Sequence, residues 1–263
     1  MNKFTIVINS CKNFSDMWEN DLTLYNKHWA NHPEILIITD ELDESFKFEE
    51  VKKVNGEMTD RIIAALDLVK TEYIFLSFDD YYPSKPVDGD HIDTLVDYMK
   101  LNNIDYCRFY KEPKIKGKKL QPFNQRLMPL KDVYEVNFYP SIWKVESLKK
   151  VLRKGEVIWK AEARITRRAK EQNLRCLYLG DKKTFQFVDV VRKGKYLRDA
   201  YRFLKKNKLY ISDRPIRTIK ETNQLAIQTF VSMHTPKKLK EKIKAKQRKK
   251  GRVFYSDYAN TDD

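Results

Sequence analysis

Residues 73–80, YIFLSFDD, place two adjacent aspartates directly after a continuous apolar segment. The first six of these residues predict a strand, Tyr73–Phe78, that is buried on both faces. Asp79 and Asp80 then stand at its carboxyl end, where their like charges repel unless a cation or an arginine neutralises them. Carboxylate oxygens suit Mg²⁺ or Mn²⁺ bound together with substrate phosphates. The alternative is a turn in which one carboxylate caps the next segment.

Strands and helices alternate on both sides of this stretch. The predicted strands are 4–9, 34–39, 73–78, 105–110 and 175–180, and the predicted helices are 15–28, 59–70, 90–102, 145–153 and 159–172. This alternation predicts an α/β fold with a mostly parallel sheet flanked by helices, followed from residue 196 by a helical extension. Such sheets bind ligands at the carboxyl ends of their strands. Polar residues follow the first three strands there: Asn9 and Ser10, then Asp40, then Asp79 and Asp80.

Composition limits the class of protein. The chain has 263 residues, of which 41% are hydrophobic and 13% aromatic, enough to build a core and to exclude global disorder. Three isolated cysteines form no disulfide framework, which is typical of a reducing cytoplasm. The amino-terminal residues enter a strand without a signal-peptide pattern, and no run of 18 apolar residues predicts a membrane span.

The basic charge is concentrated near the carboxyl terminus. The formal net charge is +15, and residues 236–252 contribute +9 of it through ten Lys or Arg and one Glu. Such a segment indicates an anionic partner, either a membrane surface or a nucleic acid. We expect a peripheral tether to an anionic membrane, to which each basic residue near the surface contributes about 1 kcal/mol. The alternative is a solvated tail that binds nothing.

The segment FLSFDD resembles the signature of GT-A glycosyltransferases, in which an Asp-x-Asp motif ends a strand and binds a metal and the diphosphate of a nucleotide sugar. The resemblance implies a GT-A (Rossmann-like) catalytic domain over residues 1–195 and a helical extension with a basic tail over 196–263. It assigns Mn²⁺ or Mg²⁺ to Asp79 and donor contacts to Ser77 and Asp80. Ser77 stands where the family has its first aspartate, so a hydroxyl would replace a carboxylate in that contact.

The same resemblance assigns contacts with the donor to the earlier strand ends. Asn9, Ser10 and Asp40 correspond to the residues that contact the nucleoside, and Arg61 to a basic residue near the diphosphate. The residues alone leave another interpretation of Arg61 open, namely a solvated helix face that pairs with a neighbouring acid.

Glu162 is the candidate catalytic base. The segment WKAE, 159–162, resembles the aromatic-x-x-acid motif at a helix start in this family. A carboxylate beside Trp159 can face a cavity, have its pKa raised and accept a proton from an acceptor hydroxyl. The alternative is a surface ion pair with basic residues one helical turn away.

The segment DVVRKGK, 189–195, resembles the basic loop that follows the catalytic half of bacterial polysaccharide glycosyltransferases. Arg192, Lys193 and Lys195 would then neutralise the departing diphosphate. The alternative is a turn with solvated charges.

Taken together, the resemblance implies transfer of a sugar from a nucleoside diphosphate, expected to be UDP, to a hydroxyl of a glycan or lipid-linked glycan. It implies inversion at the anomeric carbon, a role in capsule or O-antigen synthesis, and a cytoplasmic location on the inner face of the membrane. A sugar-phosphate nucleotidyltransferase would carry a glycine-rich loop after the first strand, whereas residues 8–14, INSCKNF, contain no glycine. The alternative from another class is a nucleic-acid-binding protein that uses the basic carboxyl-terminal tail. Acids clustered at the strand ends would repel phosphate, so no nucleic acid is expected as a partner.

Overall fold

The structure is a computed structural model that describes residues 2–45, 50–110, 117–179 and 184–261. Its strands are β1 (Phe4–Asn9), β2 (Ile35–Thr39), β3 (Val51–Lys53), β4 (Tyr73–Phe78), β5 (Tyr81–Pro83), β6 (Tyr106–Arg108), β7 (Lys118–Lys119), β8 (Arg126–Leu127), β9 (Ser141–Lys144), β10 (Cys176–Tyr178), β11 (Phe187–Asp189), β12 (Val191–Arg192) and β13 (Lys195–Tyr196). Its α-helices are α1 (Trp18–His28), α2 (Met58–Leu68), α3 (Gly89–Leu101), α4 (Val145–Val151), α5 (Ile158–Glu171), α6 (Arg198–Lys206), α7 (Ile219–His234) and α8 (Lys237–Arg248). Two 3-10 helices cover Lys12–Met17 and Tyr255–Asn260.

A nine-stranded sheet with the order β3-β2-β1-β4-β9-β6-β10-β8-β7 forms the centre of the molecule. The first four strands in this order are parallel, as are β6 and β10. The sequence predicts β2, β1 and β4 among these four, whereas β3 was not predicted. β9 lies antiparallel between β4 and β6 and was not predicted. Its four residues follow Pro140 in a proline-rich segment with no periodic pattern.

Helices cover both faces of the sheet. α2, α4 and α5 pack on one face, with Ile62, Leu148 and Ile165 in its core cluster. α1 and α3 pack on the other, with Trp18 and Leu95 in a second cluster. Both central strands β1 and β4 are buried along their whole length, which explains their unbroken apolar sequences. The fold class predicted from the sequence is therefore confirmed.

The first helix after residue 195, α6, packs against the α/β part of the chain. Ala200 and Leu204 of α6 are buried against Met17, which precedes α1, and Tyr82, which lies in β5. The predicted boundary at residue 195 falls within β13, and the division into two domains stays a prediction.

The 3-10 helix 255–260 packs along α5. Arg167 Nε donates to the carbonyl of Ala259 at 2.8 Å, and Arg164 Nε donates to that of Tyr258 at 3.3 Å. The ring of Tyr255 stacks on Trp159 with centroids 5.5 Å apart. This short helix therefore supports the first turn of α5.

One buried carboxylate holds the start of α5 together. Glu156 Oε1 accepts from Arg164 at 2.7 Å and from Arg168 at 2.7 Å, and its Oε2 accepts from Arg168 at 2.6 Å. Burial opposes ionisation of Glu156, but the hydrogen bonds from Arg168 and Arg164 outweigh it, and the pKa of Glu156 lies below its ordinary value. Arg164 and Arg168, which lie within six residues of Glu162, are therefore engaged with a different acid.

We expect the Glu156→Gln variant to be destabilised by about 3 kcal/mol, because it leaves two buried guanidinium groups without their anion. Urea unfolding followed by circular dichroism measures this loss. The control is Glu171→Gln, which removes an exposed partner of Arg167 on the same helix and is expected to cost less than about 1 kcal/mol. Equal losses in the two variants would contradict a structural role for the buried pair.

Candidate active site

The parallel pairing of β1 with β4 brings two predicted strand ends together. Asn9 lies opposite Phe78 in the register, so the residues that follow each strand are neighbours. Ser10 Oγ donates a hydrogen bond to Asp79 Oδ2 and accepts one from Trp18 Nε1 at 2.7 Å. Asp79 is therefore held at the carboxyl edge of the sheet by a side chain from the neighbouring strand end.

A cavity of about 270 Å³ opens at this edge. Six of the predicted site residues line it: Asn9, Ser10, Arg61, Asp79, Asp80 and Glu162. The Oδ1 atom of Asn9 is buried and has no hydrogen-bond partner among the described residues, so an acceptor atom is available beside the cavity. The structure thus brings together residues that are up to 153 positions apart in the sequence.

A second cavity of about 790 Å³ adjoins the first. Asp80, Tyr81, Trp159 and Glu162 line both, so the two form one cleft. The far end of the cleft is lined by Asp189, Arg192, Lys193 and Gly194, and its walls carry Tyr134 and Tyr139. Asp79 and Glu162 therefore face a common space.

Glu162 lies in the second turn of α5 and faces the cleft. Its Oε1 accepts from the backbone N–H of Phe138 at 3.4 Å. Burial raises the pKa of Glu162, and this hydrogen bond opposes the shift. In the part of the chain that the structure describes, no ion pair to Glu162 is present, so the surface-pair alternative does not describe its environment. A carboxylate in this environment is a stronger base than an exposed glutamate.

The electrostatics at the two aspartates favour a cationic ligand. Burial raises the pKa of Asp79 to about 7, while the hydrogen bond from Ser10 and the charges of Arg214 and Arg61 act in the opposite direction. Burial also raises the pKa of Asp80, and the carboxylates of Asp79 and Asp189 add to this shift. A bound cation would relieve both penalties at once.

These carboxylates fit a divalent cation that also binds phosphate. In residues 2–45, 50–110, 117–179 and 184–261, no group of three or more His, Cys, Asp or Glu side chains is placed to hold a metal by itself. Asp79 and Asp80 offer one or two carboxylates, which is the number that Mg²⁺ usually takes from a protein when phosphates complete its coordination. The donor set therefore suits a metal–diphosphate ligand.

Arg61 lines the smaller cavity, whereas its partner Asp40 is not among the lining residues. Arg61 is buried, donates to the carbonyl of Gly56 at 2.7 Å and lies 3.9 Å from Asp40 Oδ2. Asp40 Oδ1 accepts from the backbone N–H of Lys12 at 2.8 Å, so it holds the loop that follows β1. Arg61 therefore does not lie on a solvated helix face, which was the alternative interpretation.

Lys193 and Gly194 form the two-residue turn between β12 and β13. Both have positive φ, +54° and +71°, as the type I′ turns that match the twist of a hairpin require. This turn lines the larger cavity together with Arg192 on β12, which donates to Asp189 Oδ2 at 2.5 Å.

Three predicted residues, Asp40, Ser77 and Lys195, do not line the cleft. Ser77 is fully buried, because strand alternation places it on the face of β4 that carries Tyr73 and Phe75, away from Phe78 at the cavity. Lys195 Nζ donates instead to Glu221 Oε1 at 2.7 Å, at the start of α7. Neither Ser77 nor Lys195 is therefore placed to contact a ligand in the cleft.

Arg214 was not singled out in the sequence. It lies between α6 and α7, pairs with Asp16 at 2.5 Å and places its guanidinium 4.6 Å from the ring centroid of Phe14, which lines both cavities. The positive charge of Arg214 partly offsets the rise in the pKa of Asp79 that burial causes. No local motif surrounds it, so only the packing of the 210–217 segment against the loop after β1 reveals it.

Solved structures share this arrangement of strands and helices. S. aureus TarS 1–349, in complex with UDP-GlcNAc, matches with 16% identity and a TM-score of 0.50 over 77% of this chain and 65% of that one. S. aureus TarS matches with 15% identity and a TM-score of 0.50 over 78% of this chain and 39% of that one. The chain thus spans less than two thirds of either TarS chain. The likeness confirms the predicted GT-A-type fold.

No family model matches the chain, and no curated protein matches its sequence.

We expect Asp79→Asn to stabilise the ligand-free protein increasingly as the pH rises. Between its ordinary pKa of 3.8 and about 7, Asp79 ionises in the unfolded chain but keeps its proton in the folded one. Each pH unit in this window therefore costs the wild type on the order of 1 kcal/mol, which the variant escapes. Thermal unfolding in EDTA from pH 4.5 to 8 measures the difference.

The control is Asp90→Asn, which replaces an exposed carboxylate at the start of α3. A difference between Asp79→Asn and wild type that stays constant with pH would contradict the buried position of this carboxylate.

Proposed function

We propose that the protein is a glycosyltransferase that moves a sugar from a nucleoside diphosphate, expected to be UDP, to a hydroxyl of a glycan or lipid-linked glycan. The observation that carries the proposal is that Asp79 and Glu162, one at a strand end and one on a helix, line the same cavity. The proposed reaction uses a metal–diphosphate site and a base, and the residues proposed for these two roles line one cavity. The fold shared with TarS supports the proposal, since that structure was obtained with UDP-GlcNAc.

The donor is expected in the smaller cavity. Asn9 and Ser10 would contact the nucleoside, Asp79 and Asp80 would hold Mn²⁺ or Mg²⁺ on the diphosphate, and Arg61 adds a cation from α2. The bound metal would neutralise charge on the diphosphate oxygens, a contribution of several kcal/mol in metal-assisted reactions.

Glu162 acts on the acceptor in this proposal. The acceptor oxygen attacks the anomeric carbon, its proton passes to the Glu162 carboxylate, and the bond from that carbon to the diphosphate oxygen breaks. Attack opposite the leaving group inverts the configuration. The raised pKa of Glu162 makes it a stronger base than an exposed glutamate. General-base catalysis of this kind contributes roughly 100- to 10,000-fold in rate.

The larger cavity is expected to receive the acceptor. Tyr81, Tyr139 and Trp159 provide aromatic faces on which a sugar ring can stack, and Trp159 is half exposed there. Arg192 and Lys193 stand at the same cavity, where they can stabilise negative charge on the leaving diphosphate.

We expect Glu162→Gln to lower the rate of sugar transfer by at least about 100-fold while UDP binding stays unchanged, because the amide cannot accept the proton. Turnover of a panel of UDP-sugars with glycan acceptors gives the rate, and calorimetry gives the UDP affinity. Glu171→Gln, at the other end of α5, is the matched control. Loss of UDP binding in Glu162→Gln would rule out the role of base, and turnover only with UTP and a sugar phosphate would identify a nucleotidyltransferase instead.

We expect Asp79→Ala to weaken UDP binding at least about tenfold when Mn²⁺ is present and to have little effect in EDTA. The physical reason is that the variant removes a metal ligand and leaves contacts with the nucleoside intact. Titration of UDP with and without Mn²⁺ measures both affinities, with Asp90→Ala as the control. An equal loss in EDTA would show that Asp79 contacts the nucleotide without a metal.

A further inference from the structure

α7 exposes an apolar face for which the described residues provide no cover. Ile219, Ile227 and Phe230 are each more than 60% exposed, and Val231 is 52% exposed. At 100° per residue, these side chains lie within one third of the helix circumference. No residue of α7 whose burial is described is buried. Apolar side chains gathered on one face of a helix mark an interaction surface, whereas scattered ones do not.

Among the described residues, the contacts that anchor α7 lie near its start. Thr218 caps it, with a capping box to Glu221, and Glu221 pairs with Lys195 at 2.7 Å. An isolated helix of this length is marginally stable in water, and most helices in proteins are stabilised by packing of an apolar face. The exposed face of α7 is therefore expected to have a partner.

α8 follows α7 directly and carries the highest density of positive charge in the chain. Its twelve residues, Lys237–Arg248, include seven Lys or Arg and one Glu. Arg248 pairs with Asp257 at 2.5 Å, which fastens one side of α8 to the body. Lys238, Lys242 and Lys246 are exposed, as are the apolar residues Leu239 and Ile243 between them.

The charge and the apolar face together select one kind of partner. A second copy of the chain would bring two basic α8 helices towards each other, and like charges oppose such contact. A nucleic acid would satisfy the lysines but would leave the apolar face in water. An anionic bilayer offers both phosphate groups and an apolar interior.

We propose that α7 and α8 form a membrane-binding surface, with Ile227 and Phe230 inserted at the boundary of headgroups and acyl chains and the α8 lysines bound to anionic headgroups. This surface goes beyond the electrostatic tether expected from the basic segment, because α7 contributes apolar burial. No helix in the described residues is long and apolar enough to cross a bilayer. The surface lies on the membrane, so a lipid-linked acceptor would reach the cleft from the same side of the bilayer.

The test compares three variants in co-sedimentation with vesicles of phosphatidylcholine, with or without about one third phosphatidylglycerol. Ile227→Gln/Phe230→Gln removes the apolar face, and Thr229→Gln places the same side chain off that face as a control. Lys238→Gln/Lys242→Gln/Lys246→Gln removes three exposed charges. Circular dichroism and thermal unfolding confirm that each variant folds like the wild type, so the result does not depend on the proposed catalytic activity.

We expect the wild type and Thr229→Gln to bind the anionic vesicles and neither to bind phosphatidylcholine alone. The glutamine pair should lower binding on the order of tenfold and the lysine triple on the order of 100-fold. Binding that is insensitive to the glutamine pair would remove α7 from the surface. Absence of vesicle binding overturns the proposal, as would tight binding of single-stranded RNA that excludes vesicles, or a stable dimer that the glutamine pair dissociates.

Discussion

The hydrogen bond from Ser10 to Asp79 depends on a single constraint, the parallel alignment of β1 with β4. The alignment ends both strands at the same level, so the residues after each of them face one another. Two further side chains line the cavity at that edge, Arg61 from α2 and Glu162 from α5. Arg214, from the segment after α6, acts on Asp79 through its charge. Burial of the two aspartates makes the edge electrostatically costly in the absence of a cation.

A second constraint orients the helix that carries Glu162. Arg164 and Arg168 point from α5 to the buried Glu156, which lies before the helix, and this leaves Glu162 on the opposite side to face the cleft. The pKa of Glu156 is therefore lowered, because two guanidinium groups pair with it. The pKa of Glu162 is raised, because burial outweighs its one backbone hydrogen bond. This division of roles separates a structural carboxylate from a chemically available one.

The central strands were predictable because their apolar residues are continuous: β1 and β4 have the predicted limits. β9 was not predictable, since a four-residue strand after Pro140 is too short to show a periodic pattern of apolar residues. At the site, residues next to strand ends were predictable from topology alone. The position of Ser77 was not predictable, because alignment with a motif ignores the face on which a strand places each side chain. The role of Arg214 was not predictable either, because a contact between distant loops has no local signal in the sequence.

The 3-10 helix 255–260 links two regions that otherwise have little in common. Asp257 binds Arg248 of the basic helix, and Tyr255, two residues away, stacks on Trp159 in the wall of the cleft. A mechanical connection of a few side chains therefore runs from α8 to the space where an acceptor would sit. A displacement of the basic helix that carried Asp257 with it would also shift the Tyr255 ring on which Trp159 stacks.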